Sequence, residues 1–119
     1  MKISILISSY NKGKYIRDCI ESCLAQNIDD FEIVLLDNYS TDETDMILQE
    51  YSSKIKIFKY KKTSNYPAMN QIDLLQKGLD HSSGEIICLL DADDYFLKNK
   101  LPEVRKFFTE NKSKNVLFD

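Results

Sequence analysis

The chain has 119 residues, of which 43% are hydrophobic and 29% are charged, and its formal net charge is −3. A chain of this length and composition can bury one core without disulfides, which excludes intrinsic disorder and collagen-like repeats. The excess of acidic residues excludes a globally basic surface of the kind that attracts nucleic acid. We therefore expect one domain over residues 1–119 and no nucleic acid partner.

The hydrophobic segments are too short to span a membrane. The apolar run at 86–90 falls far below the about 20 residues of a membrane helix, and the run at 3–7 turns polar too soon for a signal peptide. Cys19, Cys23 and Cys88 each lie in an apolar pattern, which favours thiols in the core over disulfides. We expect a cytoplasmic protein without a transmembrane segment.

The first part of the chain alternates between strand and helix patterns. Residues 2–7 predict a strand, and the apolar residues of 16–24 recur every three or four positions, as in an amphipathic helix. Residues 31–36 are apolar nearly throughout, which is typical of a parallel strand covered on both faces. Ser40 and Glu43 then have the spacing of a capping box and predict the start of a second helix.

The middle of the chain continues this alternation. Between residues 54 and 60, lysines alternate with isoleucines, which predicts a strand with one solvated face. Its lysines suit an exposed sheet edge better than a phosphate site. Residues 67–79 predict a helix with one apolar side. That side carries Met69, Ile72, Leu75 and Leu79.

Two more strand patterns and one helix pattern complete the chain. Residues 85–90 predict another buried strand, a helix is expected from Pro102, and residues 116–118 predict a fifth strand. Repeated alternation of this kind predicts an α/β fold, with a mainly parallel sheet flanked by helices and right-handed crossovers. Because no helix pattern follows the fifth strand, we expect the fold to be truncated there.

Polar residues follow three of the predicted strands. They lie at 8–10, at Asp37 and Asn38, and at 91–94. In open α/β sheets, ligands bind outside the carboxyl ends of the strands, where loops meet and helix N-termini point towards the crevice. We therefore expect these three clusters to lie along one rim.

The acidic cluster has two interpretations. Asp91, Asp93 and Asp94 bring three carboxylates close together, and two such charges about 5 Å apart repel by roughly 3 kcal/mol at an effective dielectric of 20. A bound Mg²⁺ or Mn²⁺ would reverse the sign of that interaction, and both cations prefer oxygen ligands. The alternative is an acidic turn in which Asp93 or Asp94 caps a helix. The spacing alone leaves both interpretations open.

The cluster at Asp37 and Asn38 also has two interpretations, and its position after a strand favours the second, recognition of a nucleobase. These residue types are common in turns and helix caps. A side-chain carbonyl here can also accept from a base N–H, and an asparagine amide can donate to a base carbonyl. Tyr10 can stack on a nucleobase or pack at the end of its strand.

Four segments, taken in chain order, resemble the family 2 nucleotide-sugar glycosyltransferases, which have the GT-A fold. The segments are residues 3–12, 22–26, 31–42 and 84–94. The resemblance implies that residues 1–119 form the Rossmann-like, nucleotide-sugar-binding part of a glycosyltransferase domain. It implies inverting transfer from a nucleotide diphosphate sugar, with UDP-sugars as the first expectation, to a glycan or lipid-linked acceptor hydroxyl in surface polysaccharide synthesis.

The resemblance also implies roles for individual residues. The Asp-Ala-Asp-Asp run matches the DXD motif of the family, which would make Asp91, Asp93 and Asp94 the ligands of a divalent metal, Mn²⁺ or Mg²⁺. The implied nucleotide-sugar contacts are Ser8, Ser9, Tyr10, Asp37, Asn38, Asp91 and Asp93.

Departures from the family pattern bear on the site. Asp37-Asn38-Tyr39 stands where many members have two acids and a glycine, and Leu75 stands in the place of an arginine that often contacts phosphate. The catalytic base of the family belongs to a second half, and Asp119 is not expected to replace it. The sequence therefore identifies no catalytic residue in this chain, and we do not expect the chain alone to be active.

Two other functions fit parts of the sequence. A haloacid-dehalogenase-like phosphotransferase also has an Asp-x-Asp motif after an apolar strand, although there it follows the first strand and not the fourth. Metal-dependent phosphatase activity would identify that class. A non-catalytic nucleotide-binding domain would use the same rim without transferring or hydrolysing the sugar.

Overall fold

The computed structural model describes residues 1–115, in which strands and helices alternate. The strands are β1 (Ile3–Ser9), β2 (Phe31–Asp37), β3 (Lys56–Lys59) and β4 (Ile86–Asp91). The helices are α1 (Ile16–Leu24), α2 (Thr44–Gln49), α3 (Pro67–Asp80) and α4 (Lys100–Glu110). The strand predicted at 116–118 lies outside the described residues.

The four strands form one parallel sheet in the order β3-β2-β1-β4. This confirms the predicted α/β architecture. The register places Asp37 opposite Ser9 and Asp91 opposite Ser8. The three polar clusters therefore reach the same edge of the sheet, as the sequence predicts.

Helices cover the sheet on both faces. On one face, α1, α2 and α4 pack against β1 and β2 through a large core that includes Ile7 and Ile20. On the other face, α3 packs through a smaller cluster that includes Leu6 and Leu74. Burial of β2 on both faces is confirmed, because Val34 faces the α3 cluster while its neighbour on the chain, Leu35, belongs to the larger core.

The capping box predicted at Ser40 and Glu43 is wrong. Helix α2 begins at Thr44, and no side chain caps it from Glu43. The Ser40 hydroxyl instead donates to Asp37 Oδ1 at 2.6 Å. Ser40 therefore belongs to the turn that follows β2, and the helix starts one turn later than the motif indicates.

The apolar side predicted for α3 is wrong for three of its four residues, since only Leu75 packs against the core, although the bounds of the helix are nearly as predicted. Met69, Ile72 and Leu79 are each about half exposed, with 53%, 50% and 51% of their surface accessible. The buried side carries Leu74 and Gly78. A Cβ atom on Gly78 would lie 2.7 Å from Leu36 Cδ1, so the missing side chain lets the helix approach the sheet closely.

The lysine-rich strand β3 forms an edge of the sheet, as predicted. Lys56 Nζ lies 2.8 Å from Glu32 Oε1, and Lys59 pairs with Asp45. Helix α4 begins at Lys100, two residues before the predicted start, so that Pro102 lies in its first turn. No helix within residues 1–115 is long and apolar enough to cross a membrane.

Glu32 ties the amino-terminal ends of the strands together. Its carboxylate accepts from Ser4 Oγ at 2.6 Å and from the Ser83 backbone N–H at 2.6 Å, in addition to the Lys56 contact. Burial alone would raise the pKa of this carboxyl, but these hydrogen bonds outweigh burial and lower its pKa to about 2. A Cβ on Gly84 would lie 2.6 Å from Ser4 N, so glycine is required beside this network.

We expect Glu32→Gln to lower the free energy of unfolding at pH 7 by about 1–3 kcal/mol, because the ionised acceptor of several donors is lost. The lowered pKa means that this stabilisation is present above the pKa of the unfolded chain, about 4.3, and is lost as the pH falls. Urea unfolding of both proteins between pH 7 and pH 2 measures the difference. A gap that stays constant as the pH falls would contradict the assignment.

Candidate functional site

A cavity of about 570 Å³ lies at the carboxyl ends of β1 and β4, beside the first turns of α3. Most of the side chains predicted to contact the nucleotide sugar line it. They are Ser8, Ser9, Tyr10, Asn38, Asp91 and Asp93. The sheet register therefore brings residues from the carboxyl ends of β1 and β4, which are far apart in the sequence, into one concave site.

The loops that follow β1 and β2 hold each other in place beside this cavity. The Asn11 backbone N–H donates to Ser40 Oγ at 2.8 Å, and Asn11 Oδ1 accepts from the Thr41 N–H at 2.7 Å. Asn11 and Tyr39 have φ angles of 51° and 53°, in the left-handed region. These two strained turns and their cross-links set the position of Tyr10.

Asp37 lies at the predicted edge but does not line the cavity. Its side chain is fully buried. The carboxylate accepts from the Ser40 N–H at 2.7 Å and from the Ser40 hydroxyl at 2.6 Å. Both oxygens are therefore engaged in the turn, which is the turn interpretation that the sequence left open.

Asn38 lines the cavity with its amide held in one orientation. Its Nδ2 donates to the Tyr60 backbone carbonyl at 2.9 Å, and its backbone N–H donates to the Ser9 carbonyl at 3.0 Å. No residue within 1–115 donates to Asn38 Oδ1. One amide N–H donates to Tyr60 and fixes the orientation of the group, so this side chain offers Oδ1 as an acceptor to a ligand.

The three carboxylates of the acidic cluster lie together, with oxygens within 4.8 Å of one another. Asp91 Oδ1 accepts from Ser8 Oγ at 3.1 Å, and Asp93 Oδ2 lies 3.4 Å from Lys12 Nζ. Carboxylate oxygens of this kind suit Mg²⁺ or Mn²⁺, which complete their shell with water and phosphate. The donor set therefore fits the cation implied by the sequence.

The alternative role of this cluster as a helix cap is wrong. Residues 94–97 form no helix, and α4 begins at Lys100 without a side-chain cap at Asn99. Asp93 and Asp94 are exposed. Their like charges therefore lie together without a helix N-terminus to offset them.

The structure adds cavity residues that the sequence did not single out. Lys62 Nζ lies 3.2 Å from the centroid of the Tyr10 ring. Asn70 Oδ1 accepts from the backbone N–H groups of Thr63 and Ser64, both at 3.0 Å, and so holds the loop that carries Lys62.

Gln71 also lines the cavity, whereas Leu75 does not. Leu75 packs against the α3 side of the core, so the position where the family pattern has an arginine offers nothing to a ligand here. A signal for Asn70 exists in the sequence, but none for Gln71: Asn70, Leu74 and Gly78 recur every four residues, as a buried helix face does. Apolar periodicity overlooks that face because only one of the three is apolar.

A family model described as Glycosyl transferase family 2 matches residues 4–119. The chain belongs to this family. This membership excludes the haloacid-dehalogenase-like alternative.

Two relatives illustrate the match in sequence. TarS of Staphylococcus aureus, a poly(ribitol-phosphate) beta-N-acetylglucosaminyltransferase, is 31% identical over an alignment of 121 positions that covers 98% of this chain and 20% of TarS. TuaG of Bacillus subtilis, a putative teichuronic acid biosynthesis glycosyltransferase, is 31% identical over 91% of this chain and 42% of TuaG. The chain thus spans a fifth to about two fifths of the length of these relatives.

Solved structures confirm the Rossmann-like GT-A fold. TarS residues 1–349 in complex with UDP-GlcNAc give a TM-score of 0.77 at 29% identity, covering 94% of this chain and 32% of that chain. The mannosyltransferase PcManGT of Pyrobaculum calidifontis, in complex with GDP-Man and Mn²⁺, gives a TM-score of 0.74 over 90% of this chain and 32% of that chain. At 21% identity, that second similarity supports the fold alone.

Asp37 and Asp93 are expected to differ in their effect on stability. Asp37→Ala should lower the free energy of unfolding by about 1–3 kcal/mol, because the partly buried Ser40 N–H and hydroxyl lose their acceptor. Asp93→Ala should change it by less than about 0.5 kcal/mol, since its ion pair with Lys12 is exposed. Chemical denaturation of the two variants measures both values. Equal losses of unfolding free energy in the two variants would contradict the assignment of Asp37 as a structural acid and Asp93 as a ligand-binding acid.

Proposed function

We propose that this chain is the nucleotide-sugar-binding part of a metal-dependent glycosyltransferase, and that its donor is a UDP-sugar. The observation that carries the proposal is the convergence of Tyr10, Asn38, Asp91 and Asp93 on one cavity in a family 2 chain, with Asp94 close to the two carboxylates. The complexes of TarS with UDP and UDP-GlcNAc support a uridine nucleotide as the ligand.

The acidic cluster provides the cation site of this proposal. Asp91, Asp93 and Asp94 would hold Mn²⁺ or Mg²⁺. When bound, such a cation stabilises the negative charge that develops on a departing diphosphate. Lys12, already within 3.4 Å of Asp93, supplies a protein cation at the same place.

Tyr10 and Asn38 provide the nucleoside end. The Tyr10 ring offers a stacking surface for a base, and Lys62 covers part of that ring. Asn38 Oδ1 offers an acceptor that matches the N3–H of uracil. Ser8 and Ser9 line the floor between the two ends, and the Ser9 hydroxyl is buried without a hydrogen-bond partner within residues 1–115.

The transfer itself needs groups beyond the donor site. An acceptor hydroxyl, deprotonated by a carboxylate, would attack the anomeric carbon on the face opposite the diphosphate and invert its configuration. Within residues 1–115 we assign no such base. This chain supplies the residues on the leaving-group side of that reaction. The proposed reaction belongs to the synthesis of a surface polysaccharide or glycan, with a glycan or lipid-linked acceptor. It takes place in the cytoplasm.

Titration with UDP, with and without Mn²⁺, tests the proposal. We expect Mn²⁺ to tighten UDP binding by about tenfold or more, because charge-assisted contacts to the diphosphate are added. Asp93→Ala should abolish this metal-dependent gain. Asp80→Ala, an exposed acid at the far end of α3, is the control and should retain it. Failure of UDP and of every other nucleoside diphosphate to bind would rule out the function.

The base is tested with UDP whose uracil N3 carries a methyl group. The wild-type chain should bind this analogue about tenfold or more weakly than UDP, because the N–H that Asn38 Oδ1 accepts is missing and the oxygen is left unpaired. Asn38→Ala should bind the two ligands with equal affinity. Isothermal titration with both nucleotides gives the comparison. A preference for UDP that survives in Asn38→Ala would assign base recognition to another residue.

A further inference from the structure

Three elements converge on one oxygen of the acidic cluster. Ser8 of β1 donates its hydroxyl to Asp91 Oδ1 at 3.1 Å. Gln71 of α3 donates its side-chain N–H to the same oxygen, and Gln71 Nε2 also lies 3.3 Å from Ser8 Oγ. Asp91 itself ends β4. The carboxylate is therefore held from two sides by neutral donors.

This arrangement restricts the Asp91 carboxylate. The terminal torsion of an aspartate side chain has a broad energy profile, so an unrestrained carboxylate samples many orientations. Two donors on Oδ1 select one of them. No hydrogen bond from residues 1–115 reaches Oδ2, which leaves that oxygen available to a ligand.

The two donors also leave the charge of Asp91 uncompensated. Asp93 lies beside the Lys12 ammonium at 3.4 Å, which offsets part of its negative charge. Gln71 and Ser8 carry no charge, so they orient Asp91 without neutralising it. An arginine or lysine in place of Gln71 would compete with a cation for the same carboxylate.

We propose that Gln71 is a positioning residue that orients Asp91 for binding the divalent cation. This inference rests on the proposed function, because it assumes that the acidic cluster binds Mn²⁺ together with UDP. Hydrogen-bond partners of metal ligands commonly affect metal affinity in this way. Gln71 acts through Asp91 and needs no contact with the cation.

Gln71→Met tests the inference, because methionine has a similar length and cannot donate a hydrogen bond. We expect the dissociation constant of Mn²⁺ in the presence of UDP to rise by about tenfold. Electron paramagnetic resonance of bound Mn²⁺ measures this constant, and its line shape reports the altered coordination. The affinity for uridine, which has no diphosphate, should stay within about twofold of wild type, since the base contacts lie elsewhere.

Gln76→Met is the matched control, since Gln76 is exposed on the same helix and lies outside the cavity. It should leave both affinities unchanged. Ser8→Ala removes the second donor to Asp91 Oδ1 and keeps the test open if Gln71→Met folds poorly. Because both donors hold one oxygen, the effects of the two substitutions on Mn²⁺ affinity should be non-additive in the double variant.

Several outcomes overturn the inference. Wild-type Mn²⁺ affinity in Gln71→Met would show that Asp91 needs no positioning. An equal loss of uridine binding would assign Gln71 a general structural role. If the wild-type protein shows no Mn²⁺-dependent UDP binding, the proposed function itself fails. If the wild-type protein shows that binding and Gln71→Met shows it equally, only the role of Gln71 fails.

Discussion

The parallel register of β2, β1 and β4 is the constraint on which the site depends. It places Asp37 beside Ser9 and Asp91 beside Ser8, although these pairs are far apart in the sequence. Because β1 is buried along its whole length, a slip of one residue would turn apolar side chains away from their helices. The same packing that stabilises the core therefore sets the distances among the polar residues at the rim.

The acids at this rim have different environments. Asp37 is buried and bound to the Ser40 N–H and hydroxyl, so it stabilises the turn after β2. Asp91 is held by neutral donors, and Asp93 is paired with Lys12. Asp91 thus keeps its negative charge available where a cation and a diphosphate are proposed to bind. The carboxylate of Asp37 is instead fully hydrogen-bonded within the turn that it stabilises.

Local sequence patterns predicted the helices and strands well, but they predicted the contacts of individual side chains less well. The bounds of α1 and the parallel, doubly covered β2 agree with the sequence. The capping box at Ser40 failed because the Ser40 oxygen accepts from the Asn11 N–H and not from a helix N–H, while its hydroxyl donates to Asp37. The apolar side of α3 failed because Gly78 allows a closer approach to the sheet than any larger residue would. In each case a contact between elements outweighed a preference within one element.

The sequence by itself determined the order of strands and helices, the burial of β2 and the acidic motif, because hydrophobic periodicity and residue spacing are local properties. Its prediction of a buried β4 was wrong on one side of the strand, where Leu89 is 58% exposed. Only the tertiary structure decided that Asn38 presents an acceptor, that Lys62 lies over Tyr10 and that Gln71 reaches Asp91. Each of these depends on a partner brought close by the sheet register or by the packing of α3. No pattern along the chain encodes the direction in which such a side chain points.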